Sequence, residues 1–301
     1  MKTNAIVRII LFSLAILVLL GILIAGLAFR HYSFNFRSFP GYIRGNSAEN
    51  GVTVSQSGSV EASLVHNIEI DWAAGSITVQ PGDTDKIIFS ETEVREENLK
   101  MVWKQSGDKL VIQFRKDNFN WNGFNFGSDL SKDLIVTVPR DWNCKELDLD
   151  AASAKVKVSE LTIEKVDMDT ASGICTFENC NVDEIDFDTA SGNVYFSGTL
   201  NTLNCDSASA SCTVVLTNIP KRINMNGVSG DLDITLPENC GFSASVDSVS
   251  GRFTSDFPTT VSGGHYTYGD GSCRIGISAV SGNLYIQKCG ESDAGSHHSS
   301  D

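Results

Sequence analysis

Basic residues and proline are both scarce. The chain of 301 residues has 23 Lys and Arg against 37 Asp and Glu, a formal charge of −14, and only 6 prolines. Nucleic acids and anionic bilayers are held by basic surfaces, so nonspecific binding to either is excluded. The 26 glycines follow no three-residue period and 41% of residues are hydrophobic, which removes collagen and wholesale disorder. There is no CxxC pair, no Cys/His spacing suited to zinc, no phosphate-cradling loop and no dinucleotide fingerprint. None of the 5 histidines has a Ser/Asp or Cys partner in pattern, and His297 and His298 fall in a polar tail. After residue 30, no window combines a helical period with caps.

Long apolar runs are equally rare, with one exception. Ile9 to Phe29 carries no charge and as a helix would reach about 30 Å, the thickness of a bilayer core. It predicts one N-terminal transmembrane helix, a cleaved signal peptide being the alternative. Lys2 and Arg8 on one side nearly balance Arg30, Arg37 and Arg44 on the other, so orientation rests on export of the bulk that follows. The expected division is a short flank at 1–8, the anchor at 9–29, a stalk at 30–60, a β domain at 61–289 and a flexible tail at 290–301.

What the β domain does contain is a repeat. LDLDAASA begins at Leu147, VDMDTASG at Val166, IDFDTASG at Ile185, LNCDSASA at Leu203, INMNGVSG at Ile223 and ASVDSVSG at Ala244. SAVSG near 278–282 repeats the ending, and IEIDWAAGSITV from Ile68 to Val79 is an earlier copy. A unit of about 20 residues is too short for a leucine-rich helix repeat or a propeller blade and suits one coil of a stacked solenoid. Alternation puts Leu147/Leu149, Val166/Met168, Ile185/Phe187, Leu203/Cys205 and Ile223/Met225 inward and their Asp or Asn neighbours outward. A second alternating strand follows each small-residue corner, with Val156/Val158, Cys175/Phe177, Val194/Phe196, Cys212/Val214 and Leu232/Ile234 inward. Gly173, Gly192, Gly230, Gly251 and Gly282 can take positive φ at the corners, whereas Ala154 and Ala210 show that this is not compulsory. The expected fold is all-β: a right-handed parallel β-helix behind a transmembrane helix.

The early IEIDWAAGSITV unit, the DLIVTVP strand at 133–139, the DTASG and VSG corners and the final SAVSGNLYI resemble a bacterial cell-envelope family described as adhesins of unknown function. The resemblance covers roughly residues 60–288. It implies a single-stranded right-handed β-helix behind an N-terminal anchor, and no active site. The aromatic stretch at 117–129 and the cysteine content depart from the family's simplest pattern.

Three features compete for a site. Asp148, Asp167 and Asp186 form one row and Asp150, Asp169 and Asp188 a second that continues to Asp206; Asn204, Asn224 and Asn226 extend them. Such rows keep a sheet face soluble and cap turn amides; alternatively they bind a hard cation such as Ca²⁺ between coils or supply a glycosidase pair. In the second feature, Phe119, Trp121, Phe124 and Phe126 alternate with Asn and Gly, either as a plug on the first coil or as a partner patch. The third is the cysteines. Cys175, Cys205 and Cys212 take inward positions as small hydrophobes, and Cys175 and Cys212 lie two coils apart, about 10 Å, too far to bridge. One or two bridges near the irregular ends remain open. The expectation is a non-catalytic, membrane-anchored binding, adhesion or structural module outside the cytoplasm, with an envelope protein or glycan as partner and no cofactor. An envelope-stress signalling accessory and a carbohydrate-active enzyme are the alternatives.

Overall fold

The computed structural model describes residues 51–92, 94, 99–114 and 131–289. The chain divides into two units, residues 1–44 and 45–301, and all described residues belong to the second. The run at 9–29 lies outside them. Among the described residues no helix is long and apolar enough to cross a membrane. The expected β-helix preceded by a transmembrane helix is therefore corrected to an almost all-β domain without such a helix.

Among the described residues, seventeen strands share one sheet that winds on itself. Its centre is built by β8 (Asn143–Ser159) and the continuous β9 (Thr162–Leu216), which turns through successive coils. Leu147 pairs in parallel with Val166, Asp148 with Asp167, Leu149 with Met168 and Asp150 with Asp169. Like therefore stacks on like, because each coil repeats the same alternation and a one-residue slip would turn every apolar side chain outward. Inside, Leu147, Leu149, Met168, Phe177, Phe187, Phe196, Leu203 and Val214 are essentially inaccessible. Phe177 and Phe196, one coil apart, stack with ring centres 6.3 Å apart.

Stacking order differs from chain order at both ends. β3 (Asn67–Gly82) pairs in parallel with β8 on one side and, on the other, with β6 (Lys109–Gln113) and β7 (Lys132–Pro139). The earliest long strand is thus the second rung, and a later segment forms the outer one. The other end mirrors this. β10 (Arg222–Ser229) and β11 (Leu232–Leu236) pair with β9 on one side and with β16 (Cys273–Ser281) and β17 (Leu284–Lys288) on the other. β12 (Phe242–Ser250) and β13 (Phe253–Ser255) then lie beyond β16 and β17. The VSG corners at 228, 249 and 280 stack in the order 228, 280, 249, so the last segment inserts rather than continuing the series.

Antiparallel strands cover the exposed rungs. At one end β4 (Lys86–Glu91) lies along β7 and is itself paired with β2 (Ser57–Glu61), while β5 (Val102–Ser106) pairs with β6 and with β1 (Thr53–Val54). β1 and β2 fall within the stretch read from sequence as stalk. At the other end the hairpin of β14 (Thr260–Ser262) and β15 (His265–Tyr268) lies along β12. Aromatic side chains fill both caps: Phe89 meets Trp103 edge-on at 5.1 Å, and Phe257 lies 5.4 Å from Phe242 and 4.8 Å from Tyr268. The aromatic stretch Phe119, Trp121, Phe124 and Phe126 lies outside the described residues.

One ion pair is built into the first cap. Lys132 Nζ meets Glu91 Oε2 at 2.5 Å, donates to the Leu99 carbonyl at 3.0 Å and sits 4.0 Å from the centre of the Phe114 ring. The other Glu91 oxygen accepts the Met101 N–H at 2.6 Å. Burial pulls the lysine's pKa down while Glu91 pushes it back up. A buried charge in such a place needs every one of these partners.

Two corners explain their glycines. Gly75 has φ of 107° and a Cβ there would lie 2.0 Å from the Lys132 carbonyl oxygen; at Gly230, with φ of 151°, the oxygen of Ala210 would be 1.7 Å away. The backbone of the neighbouring rung leaves no room for a side chain, so close approach and the left-handed conformation both demand glycine. Ala154 and Ala210 sit at equivalent corners without positive φ, in keeping with the sequence.

Candidate functional site

The outward residues of the first strand in each coil form two rows along the stack, one beside the other. In the first, Glu69 pairs with Asp148 and Asp148 with Asp167; Asp186 follows, then Asn204 and Asn224 in register. In the second, Gln113 pairs with Asp71, Asp71 with Asp150 and Asp150 with Asp169; Asp188 comes next, and then Asp206 in register with Asn226. All six aspartates singled out from sequence fall in these rows. Glu69 and Asp71 belong to them as well; they were not singled out from sequence, although the overlap of IEIDW on LDLDA could have found them.

The rows are neutralised differently. Lys109 contacts Glu69 and lies 3.5 Å from Asp148, while Lys165 lies 3.1 Å from Asp186 and 3.5 Å from Asp167. The first row therefore has one ammonium group for each pair of carboxylates, and Asn204 Nδ2 donates to Asp186 Oδ1 at 2.8 Å at its end. Burial lowers the Lys109 pKa, but contact with Glu69 more than offsets it and the net shift is upward. Hydrogen bonding to Asp186 likewise raises Lys165.

The second row is bounded by amides rather than lysines. Gln113 Nε2 donates to Asp71 Oδ2 at 2.5 Å, and Asn226 Nδ2 donates to Asp206 Oδ1 at 2.8 Å. Asp71 is only 2% exposed, and its Oδ1 is buried without a hydrogen-bond donor. Burial pushes Asp71 up to about 6 against the donation from Gln113. Burial, with Asp71, Asp148 and Asp169 alongside, pushes Asp150 up to about 8. Asp169 is raised to about 6 by burial and by Asp188, Asp167 and Asp148. Asp188 is also raised to about 6, by partial burial and by Asp206, Asp167 and Asp186. The physical cause is common to all: carboxylates spaced by one rung, about 4.8 Å, repel in a partly desolvated row, and a shared proton converts repulsion into a hydrogen bond. Burial and the neighbouring carboxylates therefore favour a protonated Asp150 beside Asp71.

This geometry bears on the chemical alternatives. Every carboxylate of the second row has another carboxylate on a neighbouring rung, unlike the two isolated carboxyl groups flanking a scissile bond in a glycosidase. Among the described residues, no group of three or more His, Cys, Asp or Glu side chains is arranged to hold a metal ion. A cleft of about 270 Å³ opens at the far end of the stack, lined by Ile219, Glu238, Cys240, Tyr268 and Asp270 among others. Its lining shares no residue with the rows and contains neither lysine nor arginine.

The partner expected through a membrane segment at 9–29, and the single-pass membrane location, are corrected together with the fold: no described helix supplies the span. No curated protein matches the chain. Among solved structures, a protein described as a cell adhesion protein from Clostridium sporogenes is 13% identical, with 79% of this chain and 98% of that one covered and a TM-score of 0.36. An adhesin-class protein from Bacteroides fragilis, also 13% identical, covers 80% and 98% with a TM-score of 0.38. One described as a lipid binding protein from Parabacteroides distasonis gives 13%, 80%, 98% and 0.35. Family and fold are consistent with a non-enzymatic protein. The pattern of the Toastrack DUF4097 family matches residues 65–287, nearly the whole stack of coils, and the chain belongs to that family.

Proposed function

We propose that this chain is a non-catalytic adhesion or structural module that works outside the cytoplasm by presenting a stiff, ruled surface to a protein or glycan partner. The observation that carries the reading is the pair of in-register rows, whose outward groups repeat at the spacing of the backbone itself. A polymeric or repetitive ligand can meet such a surface at many points at once, and weak contacts then add without further ordering of the protein. The lysine-bearing row offers both donors and acceptors, whereas the second row offers carboxylates that take up protons more readily than those of an ordinary acidic surface.

Photocrosslinking in intact cells tests this. A crosslinking side chain placed at Asp188 in the full chain is expected to capture a specific macromolecule, and one placed at exposed Glu160, outside the rows, is expected not to. Equal capture at both positions, or none at either, would overturn the reading. So would turnover of a glycan by the purified chain.

A further inference from the structure

Seven of the eight cysteines are buried, and among them Cys205 and Cys212 meet sulfur to sulfur. Cys205 ends the first strand of its coil, Cys212 begins the second, and the corner Asp206–Ser211 folds them face to face with their sulfur atoms 3.0 Å apart. Both are fully enclosed. That separation is shorter than ordinary contact between unbonded sulfur atoms, and it arises from the repeat: both positions are inward in every coil, and this coil carries cysteine at both. Elsewhere the corner is flanked by Met168 and Cys175 or by Phe187 and Val194, each with a single thiol or none.

We propose that Cys205 and Cys212 form an intrachain covalent clasp across one corner of the stack, closed by thiol–disulfide exchange as the coil folds. The Cys205 thiolate attacks one sulfur of a small disulfide, breaks its S–S bond and releases one thiolate. Cys212 then attacks the Cys205 sulfur of the mixed disulfide and releases the other. The two cysteines are oxidised, the small disulfide is reduced to two thiols, and the two cysteine protons pass to the released thiolates. Oxidised glutathione suffices as the reagent.

Timing follows from the surroundings. Contact with Cys212 and burial together push the Cys205 thiol far above the usual cysteine range, and the thiolate is the attacking species. Exchange therefore proceeds while the corner is open and exposed, and once the rungs above and below are in place the clasp is sealed in whichever state it holds. The same enclosure protects it from reductants afterwards. Cys240, which contacts Cys273 and lines the terminal cleft, forms with it a second buried pair for comparison.

The test is oxidative refolding of the full chain in a glutathione mixture, followed by alkylation in denaturant, digestion and mass spectrometry. The expected product is a Cys205–Cys212 linkage lighter by two hydrogens than the dithiol. The same chain folded under reducing conditions should give both cysteines alkylated. Folded reduced protein exposed to oxidised glutathione should close this pair far more slowly than unfolded protein does. Alkylation of both residues after oxidative refolding would overturn the proposal, as would a Cys175–Cys212 linkage. A C212A chain serves as the second check: folded under oxidising conditions, it should carry Cys205 as a free thiol or as its mixed disulfide with glutathione, and a link from Cys205 to another cysteine would overturn the proposal. The mapping on the unsubstituted chain stands even if that variant fails to fold.

Discussion

Asp150 shows how much one side chain can depend on its row. Its raised pKa, and those of Asp71 and Asp169, mean that the folded state binds protons more tightly than the unfolded chain does. The contribution of these groups is therefore fully present below the ordinary aspartate value of 3.8 and is lost progressively as pH rises to about 8. An Asp150→Asn chain keeps the shape and offers Asp71 an N–H donor at every pH. It should match the parent at pH 4 and exceed it at pH 8 by about 1–2 kcal/mol, read as a pH-dependent gap in Tm. A constant gap would show that the row does not share protons. Because protons and amides already satisfy the row, neither EDTA nor added calcium should move Tm at pH 5, and a calcium-dependent rise would identify a cation ladder. Gly230 makes a different point at the same scale. Gly230→Ala forces a Cβ onto the Ala210 carbonyl at a φ that L-residues avoid, and should cost about 1–3 kcal/mol in denaturant unfolding.

At the level of elements, the repeating strands were legible and their neighbours at the ends were not. Leu147/Leu149 and the rows of Asp148 and Asp150 announce a coil because alternation and length recur together. Every coil end carries a similar small-residue corner, however, so Ser250 and Ser281 fit equally well against Ser229, and only tertiary pairing decides between them. The segment 256–272 is long enough to make the hairpin β14–β15 and then return between two rungs, which sequence periodicity alone does not reveal. The lysines of the first row were hidden for a related reason. Lys109 lies on a strand outside the repeat and reaches Glu69 only because β6 stacks on β3. Aromatic capping was expected, but the described caps use Phe89, Trp103, Phe257 and Tyr268. Phe257 holds the terminal hairpin against Phe242, so Phe257→Ala should destabilise by about 3–5 kcal/mol. Limited proteolysis should then cut first within 256–272, whereas initial cleavage in β8 or β9 would show that the hairpin is not what closes that end.

For the whole molecule, the inverted order of the end rungs alters how stability is distributed. In an ordinary solenoid each terminal coil touches one neighbour, and opening starts there. Here β3 and β16–β17, the segments nearest the limits of the stack in chain order, each have a neighbour on both faces. Hydrogen exchange should accordingly find β16 better protected than β12, although β12 comes earlier in the chain; equal protection would mean that the outer rung shields nothing. A load applied along the chain has a further effect. Pulling from the C-terminal side does not peel an outermost strand bond by bond but must slide β16–β17 out from between two partners, breaking both ladders in shear. A surface module anchored by such an interior strand would yield abruptly at high force instead of unravelling gradually at low force.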